Sequence, residues 1–153
     1  MAVQPGFRPV DNMTRQGPGI DVEYFQIGPN ATASKCLPGI RVMIDTTDNY
    51  VKEFTGTGNA IGYLSYEASP DKPKTIDTAF AVGDWAAVEM GAGKRIRGRL
   101  ASGQNVTKGQ PLKEVADGFL SAGTPGTDDI VADADQSVDA SSAAAAIWVL
   151  TRK

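Results

Sequence analysis

An all-β fold, a small barrel or sandwich behind an extended N-terminal arm, is what this sequence predicts, and three observations predict it. Seventeen glycines and nine prolines among 153 residues demand many turns. Between the turns, side chains alternate with the two-residue period of half-buried strands, as Ile61, Tyr63 and Ser65 do against Gly62, Leu64 and Tyr66. Residues 80–120 then pass a turn signal about every eight to twelve residues, the spacing of small barrels and sandwiches.

Residues 1–19 hold three prolines and three glycines but few large apolar side chains. Alone, such a segment buries too little surface to offset its ordering entropy. It reads either as a frayed terminus or as an arm that orders on a neighbouring subunit or a large surface. Phe7, Val10 and Met13 would be its anchors, and Arg8 and Arg15 its polar contacts. Residues 20–153 make a single β-rich domain.

The first strand, residues 20–27, sets Ile20, Val22 and Tyr24 on one face and Asp21 and Glu23 on the other. Phe25 and Ile27 fall on the polar face, which marks burial on both sides or a bulge near the strand's end. Further strands follow at 40–44, 50–54 and 60–67. Residues 68–78, with two prolines and balanced charge, are a surface loop and not a domain boundary, because neither half holds enough apolar mass for its own core. Beyond it, strands run over 85–89, 95–100 and 106–112. Gly91-Ala92-Gly93 and Gly103-Gln104-Asn105 reverse the chain, and Asp117-Gly118 closes a hairpin, since both central residues of a type I′ turn need positive φ. A brief strand at 130–132 and a closing strand at 147–150 complete the set. Four alanines at 143–146 favour helix locally; the β-branched and aromatic residues after them favour the strand. A helical turn or two at 141–146 is the alternative. No period of about 20 to 50 residues repeats along the chain, which argues against a solenoid.

Composition bounds the chemistry. The chain has no histidine, so the commonest general base and metal ligand are missing. Its one cysteine, Cys36, has no internal disulfide partner and reads as a small buried hydrophobe. The N-terminus lacks the apolar stretch of a signal peptide, and no run approaches the roughly 18 apolar residues of a membrane span. A soluble protein made in a cytoplasm, with no membrane partner, is expected. A net charge of −3 is too small to name an acidic or basic partner.

Local motifs add little catalytic promise. Gly91-Ala92-Gly93-Lys94 fails as a phosphate loop, with Val88 where the first glycine belongs and Arg95 where Ser or Thr must follow. The acidic run Asp128, Asp129, Asp133, Asp135 and Asp139 fails as an EF-hand at Val138 and Ala144. Asp84 and Glu89 can be written as an acid pair, but nothing in their spacing sets one pKa against the other. One patch has a single sign: Lys94, Arg95, Arg97, Arg99, Lys108 and Lys113, with no acid until Glu114. On a strand Arg95, Arg97 and Arg99 share a face. That face is a solvated surface, a protein interface, or a nucleic-acid groove of Arg95, Arg97, Arg99 and Lys108; the last lacks the aromatic platforms of single-strand binders, which argues against a nucleic-acid partner. No cofactor, metal or catalytic residue is expected.

The order Ala60-Ile61-Gly62, residues 80–88 (FAVGDWAAV), residues 99–112 (RLASGQNVTKGQPL), Asp117-Gly118 and Ile147-Trp148-Val149-Leu150 resembles the small capsid decoration, or cement, proteins of tailed viruses. The match covers about residues 60–150. It implies a β-tulip or β-clip-like barrel and a non-enzymatic, head-stabilising role. Such a protein sits on the outer capsid surface of the virion after synthesis in the host cytoplasm. Implied partners are the major capsid protein, further copies of the chain in a homotrimer, and neighbouring decoration subunits reached by the N-terminal arm. Residues 103–112 also resemble biotinyl- and lipoyl-type sandwich domains, which present a lysine at a hairpin tip; Lys94 beside Arg95 is a poor version of that lysine.

Overall fold

The computed structural model describes residues 21–153. The expected arm contacts Phe7, Arg8, Val10, Met13 and Arg15 therefore lie outside the described residues. Strands sort into two closed barrels and one ribbon. The first barrel holds β1 (Asp21–Ile27), β2 (Arg41–Ile44), β3 (Tyr50–Glu53), β4 (Ala60–Ser65) and β5 (Trp85–Met90), in the order β1-β3-β2-β4-β5. The second uses β6 (Arg95–Leu100), β8 (Pro111–Glu114), β9 (Leu120–Ala122), β10 (Ile130–Ala134) and β12 (Ala145–Thr151), in the order β10-β12-β6-β9-β8. The ribbon pairs β7 (Gln104–Val106) with β11 (Val138–Ala140).

The all-β expectation holds, and so does the closing strand. β12 pairs with β6 from Ala145↔Leu100 to Leu150↔Arg95, and Ile147 and Val149 point into the core while Leu150 faces out. That tertiary pairing overrides the local helix preference of the alanines. Asp117-Gly118 closes the β8–β9 hairpin as expected, with both residues at positive φ.

Four local expectations are corrected. Gly91-Ala92-Gly93 is no hairpin: β5 belongs to the first barrel and β6 to the second, so this turn hands the chain from one to the other. Thr151 fastens it, accepting from Gly93 N at 2.7 Å and Lys94 N at 2.9 Å, and donating from its own N to Lys94 O at 2.8 Å and from Oγ1 to Gly91 O at 2.8 Å. The strand expected over 106–112 is broken by a turn around Gly109 into β7 and β8. In β1, Phe25 and Ile27 are the core-facing residues, while Val22 and Tyr24 are only half-buried. Lastly, two cores exist where one was expected. Phe25, Ile40, Val42, Val51, Phe80 and Val88 help fill the first barrel, and Leu100, Leu112, Leu120, Val131 and Ile147 the second. Five-stranded barrels are narrow enough for medium-sized aliphatic side chains to fill them, so each half suffices.

The barrels repeat one another strand for strand. In each, the first strand runs parallel to the third and antiparallel to the last: β1 with β3 and β5, β6 with β9 and β12. The second strand pairs with the third and fourth, and the second–fourth ladder shifts register in both, at Val42/Met43 and at Ile130/Ala132. Even the ribbon has a counterpart. The equivalent connections of the first barrel meet through Phe80 N donating to Cys36 O at 2.9 Å. The sequence shows no such repeat because closure demands only inward apolar residues and turns at the right spacing, which many residues satisfy.

The barrels are joined through buried side chains. Tyr63, from β4 of the first barrel, lies with 1% exposure in the core of the second. Arg41 on β2 stacks over the Tyr63 ring at 4.7 Å and donates from Nε to Glu114 on β8 at 2.8 Å. Gly118 sits so close to Arg41 that a Cβ there would lie 2.3 Å from the Arg41 carbonyl oxygen.

Candidate functional site

β6 and β12 lie side by side with their outward residues in two columns. The ladder sets Leu150 opposite Arg95, Trp148 opposite Arg97, and Ala146 opposite Arg99. Directly opposed residues on one face touch, and here two guanidinium groups converge on one indole. Arg95 lies 4.3 Å and Arg97 5.7 Å from the Trp148 ring centroid, within the range of cation–π attraction.

The three arginines differ in what else they meet. Arg95 donates from Nε to Asp135, and Lys108 approaches the other oxygen of the same carboxylate at 3.6 Å. The Arg95 hydrogen bond, helped by the Lys108 charge, holds the Asp135 carboxyl below the usual range against its desolvation. Arg99 corrects the expectation of a shared open face: it is only 7% exposed. Residues 66–84 fold over that end of β6. Arg99 Nε then donates to Pro38 O at 2.7 Å, Nη1 to Asp77 at 3.0 Å, and Nη2 to Ile76 O. Arg97 is exposed, and among the described residues it meets no carboxylate within ion-pair distance.

Arg97 faces a groove of about 380 Å³ between the barrels. Its floor is the outer face of β6 with Trp148 and Ala146; its walls are Leu64, Tyr66 and Ile76 of the first barrel's side, with Glu89 near the end of β5. Burial pushes the Glu89 carboxyl above its ordinary pKa, and the Lys94 charge opposes that only in part. The groove thus offers an apolar trough, an indole, and one uncommitted guanidinium. It has the residue types that dominate binding energy at protein interfaces, where Trp, Tyr and Arg are enriched.

The remaining motifs are engaged structurally. Asp128 accepts from Thr124 N and Lys113, Asp129 from Lys153, Asp133 from Arg152, and Asp139 from Ser141 N. The acidic run is therefore paired off along the second barrel instead of converging. Among the described residues no group of three or more His, Cys, Asp or Glu comes together in a way that could hold a metal ion. Asp84 caps the turn before β5 by accepting from Ala81 N at 2.8 Å. Glu89 lies near the other end of that strand, about 16 Å along it, so the two acids are not a pair. Lys94 follows the inter-barrel crossing and stands at no hairpin tip. Cys36 is fully buried with its thiol 3.7 Å from Glu53.

Sequence reasoning placed the arginine row but missed its aromatic partner. Trp148 is 51 positions from Arg97, and only the β6–β12 register brings them together. The alternation Ala146, Trp148, Leu150 with inward Ile147 and Val149 was a usable signal that the indole faces outward with the arginines.

Fold and groove together define an all-β protein of two like barrels with a guanidinium–indole cleft between them. Among solved structures, the chain is similar to the head fiber gp8.5 N base in bacteriophage phi29, with a TM-score of 0.47 and 11% identity over 86% of this chain and 94% of that one. No protein-family model and no curated protein matches the chain.

Proposed function

We propose that this chain is a structural protein of a tailed virus: a decoration subunit that binds the outer surface of the icosahedral head and stabilises it by bridging capsomers. It acts without catalysis, through the major capsid protein and further copies of itself in a trimer, with residues 1–19 reaching neighbouring subunits. One observation carries the reading. The turn residues behind the resemblance to cement proteins are architectural, because Gly83, Gly103, Gly109 and Gly118 all stand at positive φ between strands. Conformation, and not chemistry, accounts for them. A trimer of this chain carries six barrels of one topology, a multivalent body in which weak contacts per copy add on a symmetric lattice.

The nucleic-acid reading loses its support from the arginine row. Of Arg95, Arg97, Arg99 and Lys108, three are engaged by Asp135 or Asp77, which leaves one cation to neutralise phosphate. Cosedimentation with heads of the cognate virus assembled without this protein tests the proposal. Saturable binding at a fixed copy number per head, together with a light-scattering mass of three chains, is expected. Free protein in the supernatant at every concentration contradicts it.

A further inference from the structure

We propose that the groove around Arg97 and Trp148 is the docking site for an extended, acidic segment of the capsid protein, with a carboxylate on Arg97 and an apolar side chain on Trp148 and Leu150. This names the partner surface of the head-binding role and rests on that role. Charge complementarity at the Arg97 end selects the occupant; the groove's own carboxylates are Glu67, which Lys72 engages, and Glu89 on the first barrel's side. Arg95 and Lys108 are held by Asp135, and Arg99 by Asp77, so Arg97 is the cation of the row whose donors are open among the described residues. A planar guanidinium fixed beside an indole presents a fork that fits a carboxylate bidentately. Apolar contact is supplied on the same face: Leu150 is 44% exposed, two residues along β12 from Trp148. Ile76 and Ala146 add apolar surface along the same groove, where an extended segment can seat a side chain.

The segment docks side chain first, not by adding a strand. β6 is already hydrogen-bonded to β12 along its length, and both barrels are closed. Specificity therefore rests on the Arg97 fork and on Trp148.

The test compares head binding of the full-length protein with that of Arg97→Glu, Arg97→Lys and the control Lys52→Glu, on β3 and outside the residues that line the groove. The Arg97 side chain makes no hydrogen bond among the described residues, and its backbone pairing with Trp148 does not depend on it, so its replacement leaves the fold intact, as an unchanged far-ultraviolet spectrum and thermal midpoint will show. Arg97→Glu is expected to weaken binding tenfold or more and Arg97→Lys less, with Lys52→Glu unchanged and wild-type affinity falling as salt rises. Wild-type affinity in Arg97→Glu overturns the groove while leaving head binding standing. Absence of wild-type binding removes the head role and this docking site with it. A DNA gel shift lost in Arg97→Glu, with head binding unaffected, overturns the choice of partner.

Discussion

Tyr63 of the first barrel is buried in the core of the second, with the Arg41 guanidinium 4.7 Å above its ring. The two barrels, alike in topology, are thereby made one cooperative body, since removal of this side chain opens a cavity in a core to which its own barrel does not belong. Tyr63→Ala should cost about 3–5 kcal/mol, the usual range for deleting a buried aromatic. Tyr63→Phe should cost little, because the hydroxyl is buried without a hydrogen-bond partner among the described residues. Urea unfolding followed by tryptophan fluorescence checks both. A single transition in wild type that splits in two in Tyr63→Ala would show the coupling directly.

Glycine turns should divide into two classes. At Gly118 a side chain meets both the positive φ and the backbone of Arg41, so Gly118→Ala should destabilise by several kcal/mol and disturb the barrel junction. Gly109 also has positive φ, but nothing lies within 4 Å of its Cβ position. Gly109→Ala should cost about 1 kcal/mol, the conformational term alone. Equal losses in thermal unfolding would contradict the close approach at Gly118.

Two carboxylates give opposite pH dependence. Burial pushes Asp45 up, but hydrogen bonds from Asn30 N at 2.9 Å, Asn30 Nδ2 at 3.0 Å and Thr46 N at 2.9 Å outweigh it, and its pKa lies below the ordinary value. Its stabilisation is full above the unfolded pKa of about 3.9 and is lost as pH falls through the folded value. Glu89 is raised by burial, so its contribution is full below the unfolded pKa of about 4.3 and is lost as pH rises through the folded value. At pH 7, Asp45→Ala should lower the urea midpoint and Glu89→Gln should raise it. The Glu89→Gln difference should vanish near pH 3; a gain that persists there would refute the desolvation account.

Cys36 should be inert in the native state. Burial beside Glu53 pushes its thiol up to about 12, and the thiolate is the reactive form. A chromogenic disulfide reagent should label no thiol at neutral pH in buffer and one per chain in denaturant. Rapid native labelling would show that the first core opens.

Strand positions and the principal turns were legible because both depend on local residues: alternation marks the strands, and Asp117-Gly118 meets a backbone demand that few residues satisfy. Partnership between distant strands was not. Gly91-Ala92-Gly93 serves a hairpin and a crossing between barrels equally well, and only the Thr151 clasp, about 60 residues on, distinguishes them. Arg99 looked like its neighbours along β6, since nothing local to it shows that residues 66–84 fold back to cover it. Tyr63 read as one side of an amphipathic strand; that its outward face is a second core follows from the joining of the barrels. The candidate groove was half visible for the same reason, as an arginine row without its indole.

Electron cryomicroscopy of cognate heads incubated with this protein tests the head-binding role most directly. The account predicts extra density on the outer surface at symmetry-related positions, each subunit showing two barrels with the Arg97–Trp148 groove turned toward the capsid protein. Heads indistinguishable from undecorated ones at saturating protein, or bound density whose groove faces solvent, would contradict it.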